Sequence, residues 1–350
     1  MATITKELWG KSKEGKEIYL YTLTNESGAC IKVSSVGAGL VAACVPDRKG
    51  NLADVVLGYP EAASYFADGP CAGKVPGRYA NRIARGKFEL DGKVYELPVN
   101  NGPNHLHGGP EGFQNQVWES RIENGGVEFL YDAADGEMGY PGALKAVARY
   151  EWSEENEIRL TLTAKSDAPT VVNLTNHAYF NLNGEGSGTV LNHLLRLNAS
   201  EWLPTDETLI PLGDSEPVAG TPMDFVVEKP IGRDIKADFP ALKYGKGYDN
   251  CWVVDDWTDG EVKKVATLHD EASGRVLEVL TSQPAVQVYT GNWLEGCPQS
   301  VSGHNYHDYD GVAIECQGMP DAPNHDNFPC QELSSGSEYK RIIKFKFSTK

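Results

Sequence analysis

Residues 173–182 read NLTNHAYFNL and place one imidazole, His177, among apolar, aromatic and amide side chains, with no acid or base beside it. A neutral imidazole in such surroundings titrates close enough to pH 7 to serve as acid or base. Residues 104–109 (NHLHGG) supply a second imidazole, His107, just before a glycine pair that must bend the chain. Residues 312–317 (VAIECQ) carry Glu315 on an otherwise apolar run. A carboxylate there is costly unless paired or functional, and burial raises its proton affinity toward a useful general-base value. Asp249 lies beside aromatics and Asn250 in GYDNCWV, and Gln283 and Tyr289 lie on a neighbouring strand pair where they can hydrogen-bond a polyol. The stretch GRYANRIARGKF holds three arginines and Asn81, a source of planar guanidinium for a sugar hydroxyl or a carboxylate. Together these groups suit proton chemistry on a small polar substrate.

Each has a plainer reading. His177 taken alone reads equally well as a core histidine bonded to backbone, and the arginine stretch as a basic loop-to-strand passage. His105, His107 and Glu111 imitate a metal motif, because H-x-H sets both imidazoles on one strand face. Gly108, Gly109 and Pro110 break that strand before Glu111, and a first-row metal needs further ligands in register. No metal site is expected. Asp308-Tyr309-Asp310-Gly311 resembles part of a calcium loop without its other ligands and reads as a turn. No nucleophile-elbow, P-loop or dinucleotide fingerprint is present.

The elements that must position these groups are strands. Period-2 alternation runs through Leu144 to Trp152, Ile158 to Ala164, Val127 to Tyr131 and Ile343 to Phe347. Asp91-Gly92, between Phe88–Leu90 and Val94–Leu97, is the pair preferred in type I′ hairpin turns. Strands at 276–281 and 286–290 are separated by Gln283-Pro284. Helical pattern is scarce, with one short turn of helix expected at 61–66. Many strands with 37 glycines and 20 prolines predict an all-β chain, a large sandwich or barrel. No linker or composition shift divides it, so residues 1–350 are read as a single domain.

A net charge of −17 disfavours nucleic acid, anionic membranes and phosphorylated substrates. Seven cysteines, odd in number and never in C-x-x-C spacing, indicate a reducing compartment. Without a signal-like or membrane-spanning run, a cytoplasmic location is expected.

Four ordered blocks, GRYANRIARGKFELDGKVYELPVNNGPNHLHGG, NLTNHAYFNL, TSQPAVQVYTGN and IECQGMPDAPNHDNFP, closely resemble the aldose 1-epimerases, or galactose mutarotases. The resemblance implies a large antiparallel β-sandwich, a sugar in an open cleft, no cofactor, and interconversion of the anomers of free aldoses such as galactose and glucose. It implies Glu315 as the base at the C1 hydroxyl and His177 as the acid at the ring oxygen. His107 and Arg82 would hold and polarise the sugar, Asp249 would accept its hydroxyls, and Asn81, Tyr179 and Gln283 would fall at contact positions. The partner is then a monosaccharide, and the protein a monomer or homodimer. Two departures are Asn250 after the Asp and Met319 where many relatives carry Trp. Competing readings are a glycoside hydrolase using Asp249 and Glu315, an idle sugar-binding protein on the same scaffold, and an epimerase of hexose 6-phosphates.

Overall fold

A computed structural model describes residues 2–350. The first strands, β1 (Thr3–Lys11), β2 (Glu17–Thr24), β3 (Cys30–Ser34), β4 (Gly39–Pro46) and β5 (Leu52–Asp54), form an antiparallel five-stranded sheet in chain order. The alternation read from the sequence appears as burial. Leu144–Trp152 buries every second side chain, and it sits between Gly126–Ala133 and Glu157–Ser166 in a nine-stranded sheet. The C-terminal strand Glu338–Thr349 enters the middle of that sheet, pairing with both Glu157–Ser166 and Arg275–Thr281. The two halves of the chain are thereby hydrogen-bonded into one ladder.

The third large sheet has six strands, in the order Tyr179–Phe180, Val312–Gln317, Ala285–Tyr289, Asp249–Val253, Glu201–Leu203 and Glu216–Pro217. The inner face of the nine-stranded sheet packs on both others. Phe129 meets Tyr21 of the five-stranded sheet at 5.9 Å between ring centroids, and Phe345 meets Phe180 of the six-stranded sheet at 5.0 Å. One apolar cluster runs from Tyr21 to Phe347. The result is an all-β sandwich of antiparallel sheets.

Local chemistry explains the turns. Asp91 and Gly92 both take positive φ, 52° and 74°, as a type I′ turn requires, and join Lys87–Leu90 to Lys93–Glu96. The expected helix is present as Ala62–Phe66. A second short helix, Pro240–Gly245, starts on a proline, whose fixed φ suits the first turn. Asp308 to Gly311 is a turn, as read from sequence.

Every residue of Val312–Gln317 is buried, so one face of this strand must point somewhere other than the sandwich core. Val312, Ile314 and Cys316 enter that core. By alternation Ala313, Glu315 and Gln317 face the other side, where the site lies.

Phe345 is 1% exposed against Phe180. Truncation to alanine should destabilise the protein by about 3–5 kcal/mol, read as a lower urea midpoint in equilibrium unfolding.

Candidate active site

Pairing registers set the site's layout. Glu315 stands opposite Gln287, and Gln287 opposite Cys251, so these three side chains share one row of the outer face. The next row holds Asp249, Tyr289, Ala313 and Tyr179. His177 lies two residues before Tyr179, in a stretch where ladder pairing stops.

Side-chain amides replace the missing ladder. Asn173 Nδ2 donates to Ala80 O at 3.1 Å, and its Oδ1 accepts from Gly318 N at 2.8 Å. Thr175 donates to Cys316 O at 2.6 Å, on the strand of Glu315. Asn176 donates to Gly73 O at 2.7 Å and accepts from Ala178 N. The His177 backbone itself donates to Lys74 O and accepts from Gly73 N, both at 2.9 Å. The polar residues that make this segment unusual in the sequence are thus its attachment to the sheet.

His177 is 4% exposed, and its Nε2 lies 3.5 Å from Glu315 Oε1. Burial pulls the imidazole down to about 4. Burial also pushes the Glu315 carboxyl well above the ordinary carboxylate range; Asp249 adds to the rise and Arg82 opposes it. Both groups are driven toward their neutral forms, in which the pair holds one proton between them. The other polar atoms, His177 Nδ1 and Glu315 Oε2, have no protein partner.

The opposite wall is a two-strand ladder in which Arg82 faces Leu106 and Ile83 faces His105. His107 follows with φ 50°, a left-handed turn that points its ring away from the direction of His105. His105 lies fully buried between Pro98 O and the Tyr140 hydroxyl, and Glu111 is exposed. The H-x-H pair therefore does not share a face, because the chain turns left-handed between its two members. His107 instead comes to 5.3 Å from the His177 ring.

Nitrogens of His107 and His177 and a Glu315 oxygen lie within 4.8 Å of one another, close enough in distance alone for a metal. The tautomer opposes it. His107 Nδ1 accepts the Asn81 backbone N–H at 3.1 Å, so the neutral ring carries its proton on Nε2. That nitrogen is a donor aimed at the cavity, not a free lone pair. Burial first, and the neighbouring His177 and Arg82 next, hold His107 well below its usual range and so in this neutral form.

Arg82 donates from Nε to Asn101 Oδ1 at 3.1 Å and lies 3.6 Å from Asp249 Oδ2. Gln287 Nε2 donates to Asp249 Oδ1 at 2.7 Å. Asp249 is thus held as an acceptor between an amide and a guanidinium. Tyr179 donates its hydroxyl to Pro70 O, and its ring centroid lies 4.9 Å from that of His177 at a tilt of 40°.

A cavity of about 760 Å³ is lined by Asn81, Arg82, His107, His177, Tyr179, Asp249, Tyr289 and Glu315, with Trp293 at 62% exposure among its further lining residues. Gln283 does not line it. Fully buried, Gln283 donates to Leu174 O and the Tyr339 hydroxyl and so supports the NLTNH segment from behind. The hydrogen-bonding residue of this strand pair at the site is Gln287, four positions on. Its signal was the same alternation that marks Glu315: Ala285, Gln287 and Tyr289 share one face. Met319 also lies outside the cavity lining, packed with Cys251 and Phe328. Behind His177, Lys74 and Asp68 form a fully buried pair at 3.2 Å that the sequence reading did not single out.

Residues 19–346 match the family model described as aldose 1-epimerase. The chain belongs to the aldose 1-epimerase family. It is 40% identical to the galactose mutarotase of Bos taurus, with 99% of each chain covered. To the aldose 1-epimerase of Escherichia coli K12 it is 38% identical, over 95% of this chain and 96% of that one. A solved galactose 1-epimerase from Lactobacillus acidophilus superposes with a TM-score of 0.86 at 29% identity, covering 100% of this chain and 99% of its own. The fold is the antiparallel sandwich of that family, and the chain is an isomerase of the epimerase class. Among the described residues, no helix is long and apolar enough to cross a membrane.

The raised Glu315 carboxyl has a consequence for stability. Between its unfolded value near 4.5 and its higher folded value, the native state binds more protons than the unfolded state, so stability falls as pH rises. His177 contributes the opposite slope, between about 4 and 6.5, in wild type and variant alike. Glu315→Gln should therefore melt higher than wild type, with a difference that widens from pH 5 to pH 8 in calorimetric scans. An unchanged difference would contradict the burial argument.

Proposed function

We propose that this protein interconverts the α and β anomers of free aldohexoses such as galactose and glucose, with Glu315 and His177 as its proton-transfer pair. The observation that carries this reading is the 3.5 Å separation of His177 Nε2 and Glu315 Oε1 at the cavity wall. In a pyranose the C1 hydroxyl and the ring oxygen are bonded to the same carbon. An acid and a base serving both must therefore sit side by side.

The step is proton-neutral. Glu315, as carboxylate, takes the proton of the C1 hydroxyl while His177, as imidazolium, gives one to the ring oxygen. The C1–ring oxygen bond breaks, leaving the open-chain aldehyde, a protonated Glu315 and a neutral His177. Rotation about C1–C2 presents the other carbonyl face. Closure then runs with the roles exchanged: Glu315 returns its proton to the carbonyl oxygen and His177 removes one from the C5 hydroxyl. The pair holds one proton before and two neutral partners after, the same total count, so no exchange with water is needed.

The remaining groups hold the sugar. His107 offers an Nε2–H and Arg82 a guanidinium to sugar oxygens. Asp249, fixed by Gln287 and Arg82, accepts hydroxyl protons, and Asn81, Tyr179 and Tyr289 line the same cavity. The partner is a monosaccharide, with no cofactor in the reaction. We place the protein in the cytoplasm, as a single domain, on the strength of the unpaired cysteines and the shared ladder.

Polarimetry of freshly dissolved α-D-galactose tests the assignment. Wild type should speed the approach to equilibrium, and Glu315→Gln and His177→Asn should each lose about 10²–10⁴-fold. A folded wild type with no acceleration would end the assignment; full activity in both variants would end the site. The rate should fall below pH about 4, where His177 puts a second proton on the pair, and again where the raised Glu315 gives up the last one.

Gln287→Leu leaves the Asp249 carboxylate without its amide donor. Roughly tenfold weaker galactose saturation is expected, appearing in KM more than in kcat, since this contact orients a binding group and touches no reacting atom. A loss confined to kcat would place Gln287 in the chemistry instead.

A further inference from the structure

On the five-stranded sheet, Cys30 of β3 stands directly opposite Cys44 of β4. Their flanking residues Ala29, Ile31, Ala43 and Val45 are all buried in the core. By alternation both cysteines lie on the sheet's other face, where each is half-buried rather than enclosed. Ladder bonding fixes their spacing. Asn25 N donates to Ala29 O, and Val55 N to Ala43 O, so the backbone groups of Ala29 and Ala43 turn away from the β3–β4 pair. Cys30 and Cys44 therefore form a hydrogen-bonded pair, whose Cα atoms lie about 5.5 Å apart. Disulfides span roughly 4.4–6.8 Å between Cα atoms.

We propose that Cys30 and Cys44 are a reversible dithiol–disulfide site, oxidised by low-molecular-weight disulfides, that covalently joins β3 to β4. The two thiols are chemically unequal. A hydrogen bond from Cys44 holds the Cys30 thiol down to about 7, with Lys32 assisting from the same face, while the Cys44 thiol is pushed up as the donor. Cys30 is thus the attacking thiolate and Cys44 the resolving thiol.

The exchange balances. The Cys30 thiolate attacks one sulfur of the small disulfide, and the other sulfur leaves and takes up the proton Cys30 gave up. Cys44 then attacks the Cys30 sulfur of the mixed disulfide, and the second small thiol leaves with the Cys44 proton. Two protein thiols are oxidised by two electrons, and one small disulfide becomes two thiols. The other five cysteines lack this arrangement: Cys71, Cys251 and Cys316 are buried, Cys297 lines the sugar cavity, and Cys330 is exposed without a thiol opposite it.

The full-length protein, incubated with oxidised glutathione, alkylated and digested without reduction, tests this by mass spectrometry. A peptide pair linked through Cys30 and Cys44, returned to two thiols by dithiothreitol, is the expected product. In Cys44→Ser a glutathione adduct should persist on Cys30. Cys30 and Cys44 left unlinked in folded wild type while Cys330 is modified would overturn the proposal. A glutathione adduct on Cys30 that never closes onto Cys44 would overturn it too, and the wild-type arm decides both without any variant.

Discussion

A carboxyl and an imidazole sit side by side, almost wholly buried, at the wall of the cavity. The rest of the site is arranged around that constraint. Glu315 occupies a strand on which all six residues are buried, and His177 is held beside it by backbone bonds to Gly73 and Lys74. Burial drives both toward neutrality, whereas their proximity and Arg82 favour the charged forms. The proton must pass between those two distributions, because the base of one half-cycle becomes the acid of the next.

Holding such a pair costs backbone conformation. Four non-glycine residues that line the cavity, Cys71, Asn81, His107 and Leu209, adopt positive φ between 50° and 64°. Each costs on the order of 1 kcal/mol relative to a relaxed backbone. At His107 the gain is visible, because the left-handed turn separates its ring from that of His105 and brings it to His177. Asn81 meets part of its own cost, as its side-chain oxygen accepts the Arg82 N–H. Gly108 then approaches so closely that an added Cβ would lie 1.8 Å from Gly77 O, which accounts for glycine following the histidine.

Much of this was legible in the sequence for identifiable reasons. Period-2 alternation predicts the strands because each has one wet face and one dry face. Asp91-Gly92 predicts its hairpin because both residues tolerate positive φ. Glu315 stands out because a charge in an apolar strand needs an explanation, and His177 because amides surround it. Gln283 was placed by motif and proved to brace the NLTNH segment; Gln287, on the cavity face of the next strand, touches Asp249 instead. The difference is where each lies relative to the strand's start, which sequence boundaries do not resolve. The H-x-H reading assumed an unbroken strand and failed at the left-handed His107.

The sequence by itself determined the all-β class, the family, and the residue types available for proton transfer, because these follow from local periodicity and ordered blocks. Only the tertiary structure decided which groups meet. Residues 107, 177 and 315 come within a few ångströms through strand pairing across two sheets and through amide clamps, contacts that no local pattern encodes. It also decided the His107 tautomer, since the N–H that fixes it belongs to Asn81, just before the neighbouring strand. The facing of Cys30 and Cys44 was set in the same way, by a ladder register that exists only once β3 and β4 have paired.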